Sequence, residues 1–148
     1  MSVEATAKAA TAKAVWRLRC NGIGGGLVAL LLLAVAPLTA GAHGFGAALG
    51  WLLLLAFCLV ALALSVHLLF DTALFRIALS HDSEEVGLAA IDDVLARMGL
   101  RTKSAVSAPL SQRLSGCRRL ILLQWLSLAV AIVLYGILLL DAMNGGPA

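Results

Sequence analysis

Charged residues are scarce in this sequence. Asp, Glu, Lys and Arg make up 13% of the 148 residues, which is about half their share in an average soluble domain. Hydrophobic residues make up 61%, so too few polar side chains remain to cover a water-soluble domain. The composition excludes a soluble globular domain and a disordered tail, and it predicts an all-α integral membrane protein.

Residues that carry chemistry are also few. The three cysteines, Cys20, Cys58 and Cys117, show no C-x-x-C spacing, so the sequence predicts neither a metal site nor a disulfide. It contains no catalytic triad order, zinc-protease motif or dinucleotide fingerprint. We therefore expect a protein that is not an enzyme. Basic residues alternate with acidic ones and aromatics make up only 5%, so we expect no nucleic-acid partner.

Two long uncharged runs predict three membrane-spanning helices. Residues 20–70 lack Asp, Glu, Lys and Arg over 51 positions, whereas one span needs about 20 apolar residues. Three glycines in residues 41–46 interrupt this run. We predict span one over 23–40 and span two over 47–70. The second run, 120–140, predicts span three.

All basic residues lie on one side of the predicted membrane. None occurs in the connection 41–46 or in the tail 141–148. The positive-inside rule predicts a cytoplasmic N-terminal segment (1–22), a cytoplasmic loop (71–119) and an outer C-terminus, in a bacterial inner membrane. The basic residues are Lys8, Lys13, Arg17, Arg19, Arg76, Arg97, Arg101, Lys103, Arg113, Arg118 and Arg119.

The first span has an alternative interpretation. Its basic start, its apolar stretch and Ala40-Gly41-Ala42 are similar to a secretory signal peptide cleaved after residue 42. The basic region is unusually long for such a peptide. Cleavage leaves the rest of the threading unchanged, because span two still runs from outside to inside.

The cytoplasmic loop contains one predicted amphipathic helix, at about 83–98. Asp93 and Arg97 stand at i, i+4 on it and predict an ion pair, and Gly99 predicts its end. Apolar residues recur at spacings of 3, 4 and 3 on one face, which predicts a docking stripe on this chain or on a partner. The stripe is Leu88, Ile91, Leu95 and Met98.

One pair of ionisable residues is a candidate binding site. His67 and Asp71 stand four residues apart near the inner end of span two, and ionisable groups at membrane depth indicate function by default. They predict either a proton- or quinone-linked pair or a haem or pigment ligand at His67. The alternative is a hydrogen-bonded histidine beside an aspartate that marks the helix exit.

Small and polar residues predict helix packing within the membrane. Gly46 and Gly50 stand at four-residue spacing, as do Gly22 and Gly26, and such pairs let helix backbones approach closely. In span three Gln124 and Ser127 share a stripe, and Gln124 is able to hydrogen-bond across helices.

Three functions remain open on the sequence. The first is a non-catalytic accessory or assembly subunit of a larger membrane complex, which needs no cofactor. The second is a transporter or channel protomer that self-associates, which the near absence of polar residues in spans one and two disfavours. The third is a haem-, quinone- or pigment-binding anchor that uses His67. Expected partners are the lipid bilayer and either other membrane subunits or further copies of the chain.

Overall fold

The computed structural model describes residues 3–40, 45–81, 84–97, 99 and 110–144. These residues form helices α1 (Val3–Thr39), α2 (Phe45–Leu79), α3 (Glu84–Arg97) and α4 (Leu110–Asn144), and no strand occurs among them. Three stretches are long and apolar enough to cross a membrane, namely Ala9–Thr39, Ala48–Ile77 and Gly116–Asn144. The prediction of an all-helical chain with three membrane-spanning helices is confirmed to this extent.

The long helices extend beyond the predicted spans. α1 begins at Val3, about twenty residues before span one, because its tandem Ala-rich segments consist of strong helix formers. Likewise α2 continues to Leu79, and α4 begins at Leu110. α1 contains Pro37 and ends two residues later, at Thr39.

The three spans form an up-down-up bundle with α2 antiparallel to both neighbours. At the end where α1 begins, the buried residues that pack together are Val15, Leu18, Leu68, Phe75 and Cys117. At the other end they are Ala36, Ala40, Leu54, Cys58, Ala131 and Leu138. Large apolar side chains such as Leu52 (65% exposed) and Leu126 (63% exposed) point outward. This outer surface suits contact with lipid.

α3 is a shorter helix that contacts α2. It spans Glu84–Arg97, close to the predicted 83–98. Arg97 and Asp93 form the predicted ion pair, with 2.8 Å between Nη2 and Oδ2. Gly99 has a φ of 68°, which a glycine tolerates after a helix end. The cytoplasmic location and the docking role of α3 stay predictions.

The burial pattern generates a prediction about packing. Leu128 is 1% exposed and Leu126 is 63% exposed on the same helix. Lipid is as apolar as a leucine side chain, so truncation forfeits packing rather than water exclusion. We expect Leu128→Ala to lower the free energy of unfolding by about 1–3 kcal/mol, and Leu126→Ala to change it by less than about 0.5 kcal/mol. The free energy of unfolding of both variants is measured in bilayers. Equal losses in Leu128→Ala and Leu126→Ala contradict the packing of Leu128 inside the bundle.

Candidate functional site

A buried polar contact lies at the centre of the three-helix bundle. Gln124 of α4 is fully buried, and its Nε2 donates to Ser65 Oγ of α2 over 2.6 Å. Ser65 Oγ donates in turn to the carbonyl oxygen of Ala61 over 2.8 Å. Hydrocarbon offers no hydrogen-bond partner to the Ser65 hydroxyl or the Gln124 amide, so both groups need partners within the protein. The contact therefore joins α2 to α4 within the membrane.

Three glycines of α1 make room for this contact. A Cβ built on Gly25 overlaps the side-chain amide of Gln124, so only glycine fits at that position without movement. A Cβ on Gly26 lies 3.3 Å from Ser65 Oγ, and one on Gly22 lies 3.3 Å from Leu69 Cγ. α1 thus approaches α2 with Gly22 and Gly26, and α4 with Gly25. The close approach expected from glycine spacing is present here.

Two buried polar atoms in the described part of the chain have no hydrogen-bond partner. They are Gln124 Oε1 and Trp51 Nε1. An unsatisfied buried acceptor or donor costs about 1–3 kcal/mol. The Gln124 amide is therefore only half satisfied, and its net contribution to stability is smaller than the 2.6 Å hydrogen bond alone indicates.

His67 and Asp71 do not act as a pair within the described residues. The His67 side chain is exposed on the outside of α2 and forms no hydrogen bond there. The Asp71 side chain is half-buried and turns toward α4, where its Oδ2 accepts from Cys117 Sγ over 3.5 Å. The two positions share one side of the helix, but their side chains meet different surroundings.

Further polar contacts join helices, and of their members the sequence pattern singles out only Tyr135, which shares the stripe of Gln124 and Ser127. Trp125 Nε1 donates to Asn21 Oδ1 over 3.3 Å, which joins α4 to α1. Near the other end of these helices, Tyr135 and Thr39 share a hydrogen bond of 2.7 Å between their hydroxyl oxygens. The only signal of the other three in the sequence is that each is a polar side chain inside an apolar run.

The remaining predicted site residues have varied surroundings. Ser127 is buried at 8% exposure, and a Cβ on Gly50 lies 3.0 Å from Leu138 Cδ2 of α4. Gly46 lies in the first turn of α2, with surroundings outside what the structure describes. The apolar stripe of α3 consists of Leu88, Ile91, Leu95 and Met98. The side chains of the first three lie outside what the structure describes, and Met98 lies outside the described residues altogether.

Adjacent glycines of α1 offer a matched test of the central contact. Gly25→Ala places a methyl group against Gln124, whereas Gly24→Ala meets nothing within 4 Å. We expect Gly25→Ala to lower the free energy of unfolding by about 1–3 kcal/mol, and Gly24→Ala to leave it unchanged or raise it by up to about 1 kcal/mol. Adding Gln124→Ala to Gly25→Ala should recover part of the loss. Equal effects of the two glycine variants rule out the close contact.

Several described polar side chains inside the spans link one helix to another. Gln124 and Ser65 join α2 to α4, while Asn21 and Trp125 join α1 to α4. His67 differs from them because it faces away from the bundle. The chain matches no family model, and no curated protein or solved structure matches it either.

Proposed function

We propose that this chain is a non-catalytic accessory or assembly subunit of a larger complex in a bacterial inner membrane. It acts by packing its spans against neighbouring membrane helices, and α3 serves as a cytoplasmic docking helix. The three membrane-spanning helices support the membrane part of this proposal. The basic residues, which avoid residues 41–46 and 141–148, support the cytoplasmic assignment of the N-terminus and the long loop.

The observation that carries the proposal is an outward-facing glycine. A Cβ built on Gly136 of α4 meets nothing within 4 Å, so the bundle itself gives no reason for glycine there. Glycine in a helix costs about 1 kcal/mol relative to alanine. In membranes, small residues on a helix surface let a second helix approach closely. Ala129, one heptad before the half-buried Gly136, is exposed on this face. The face suits a close-packed neighbouring membrane helix.

The interior of the bundle favours a structural role over a transport pathway. Three of the buried polar side chains in the described spans, those of Ser65, Thr72 and Gln124, hydrogen-bond within the bundle. Ser65 and Thr72 donate to carbonyl oxygens of their own helix, and Gln124 donates to Ser65. Donors used in this way satisfy carbonyl oxygens of α2 and link α2 to α4 instead of solvating an ion or a polar solute.

His67 favours one second candidate function. Its imidazole faces out of the bundle and has no hydrogen-bond partner within the described residues. A ring nitrogen in that position is available to ligate a haem or pigment metal, or to hydrogen-bond a quinone. The second candidate is therefore a cofactor-binding anchor with His67 as the ligand. A cofactor-binding anchor carries an absorbance or redox signal that can be measured, whereas an accessory subunit without a cofactor does not.

Cysteine labelling tests the threading. In a chain whose three native cysteines are replaced by alanine, we expect His43→Cys and Asn144→Cys to react with an impermeant maleimide added to intact cells. Ser104→Cys should react only after permeabilisation, because the long loop is cytoplasmic. Labelling of Ser104→Cys in intact cells contradicts the proposed orientation.

Co-purification tests the accessory role. In mild detergent, we expect the tagged chain to carry a fixed set of membrane proteins in constant stoichiometry, identified by mass spectrometry. Gly136→Leu should release them by filling the outward face, and Leu95→Asp should release them if α3 docks on a partner. Ala56→Leu, a similar enlargement at an exposed position of α2, is the matched control and should retain them.

The outcomes of this experiment separate the candidates. A chain that purifies alone, or only with copies of itself, contradicts the accessory role. If Ala56→Leu loses the partners and Gly136→Leu retains them, the partners bind the side of α2 that carries His67. If His67→Gln and His67→Phe both assemble yet lose a chromophore or stop turnover of the complex, the cofactor-binding anchor replaces the accessory role.

A further inference from the structure

A hydrogen bond between side chains joins α1 and α4 near the basic end of the bundle. Trp125 Nε1 donates to Asn21 Oδ1 over 3.3 Å, and Asn21 Nδ2 donates to the carbonyl oxygen of Arg17 over 3.0 Å. The Trp125 side chain is 49% exposed, so this contact lies at the outer rim of the two helices. It holds the parallel helices α1 and α4 in a defined register at this depth.

Two arginines lie on the same side of these helices as the Asn21–Trp125 contact. Arg17 precedes Asn21 by four residues, which places it about 40° round α1 and about 6 Å along it. Arg118 precedes Trp125 by seven residues, which places it about 20° round α4 and about 10 Å along it. Both side chains are exposed. The two arginine positions therefore lie on either side of one groove between α1 and α4, nearer the basic end than the Asn21–Trp125 contact.

Neither arginine has an acidic partner in the described part of the chain. The ion pair that is present there joins Arg97 to Asp93 on α3, and neither Arg17 nor Arg118 has any further polar partner. The acidic residue of α2 at this level, Asp71, accepts from Cys117. Cys117 is buried on the side of α4 that faces α2, about 100° from Arg118. Two positive charges thus face the groove without compensation.

We propose that this groove binds the headgroup of an anionic phospholipid, with Arg17 and Arg118 as the ligands of its phosphate. Guanidinium groups bind phosphate oxygens through paired, charge-assisted hydrogen bonds. Trp125 lies deeper than both arginines, at the level where tryptophan contacts the glycerol and ester region of a bilayer. Beyond it, toward the middle of the bundle, Ile132 is exposed and apolar, which suits an acyl chain. That apolar surface contributes nothing to the binding of a free phosphate ion.

Two other arginines of α1 and α4 at this end provide a matched control. Arg19 lies about 160° round α1 from Asn21, and Arg119 lies about 120° round α4 from Trp125, so both point away from the groove. Both are exposed. The double variant Arg19→Gln/Arg119→Gln removes the same charge from the same depth as Arg17→Gln/Arg118→Gln. Only the second removes the groove ligands.

The experiment is native mass spectrometry of the full chain with phosphatidylglycerol or phosphatidylcholine added in detergent. We expect the wild-type chain to retain phosphatidylglycerol, and Arg17→Gln/Arg118→Gln to retain it about tenfold or more weakly. Arg19→Gln/Arg119→Gln should stay within about threefold of wild type. Excess inorganic phosphate should leave the retained lipid in place. Thermal unfolding without added lipid checks that both double variants fold alike.

Three other results contradict a specific lipid site. Equal loss in the two double variants shows a diffuse basic surface without a defined site. No preference for phosphatidylglycerol over phosphatidylcholine shows that charge does not determine binding. Displacement by inorganic phosphate shows an anion site that is not specific for lipid. Because none of these readouts involves a protein partner, the site can fail while the accessory role stands, and the reverse also holds.

Discussion

Close approach of α1 to its two neighbours is the constraint on which the rest of the bundle depends. In lipid, apolar burial alone does not hold helices together, so van der Waals packing and buried hydrogen bonds must do so. Gly25 has no side chain, and the amide of Gln124 occupies the space that a Cβ would need. That position lets Gln124 reach Ser65 across the bundle. A single missing methyl group thus sets the distance between α1 and α4 and allows the link between α2 and α4.

The spans were predictable because each needs about 20 apolar residues to cross the bilayer. The two uncharged runs, of which the first is interrupted by glycines, contain three stretches of about that length. Helix ends were less predictable. Outside the membrane, helix extent depends on local propensity and packing, so α1 reaches back to Val3 through an alanine-rich segment. The end of α3 at Gly99 was predictable because a left-handed residue after a helix strongly favours glycine.

The candidate site was predictable in its members but not in their pairing. Gln124 stood out as an amide in an apolar run, and Gly22 and Gly26 stood out by their four-residue spacing. Which residues meet depends on the rotation of each helix about its axis, and periodicity does not define that rotation relative to a neighbour. Asn21 and Trp125 illustrate this, since they are distant in sequence and lie on helices without a direct connection. Asp71 meets Cys117 for the same reason.

The internal contacts also decide what the outside of the protein presents. Ser65 must face α4 to accept from Gln124, and His67, two residues later, then lies about 160° round α2 and points outward. On α4, Gly136 follows Gln124 by twelve residues, so it lies about 120° round the helix and also leaves the interior. The outward histidine and the open glycine are therefore not independent features. Both follow from the rotation that the buried amide imposes, so a change that releases Gln124 also reorients the surfaces through which the chain meets its surroundings.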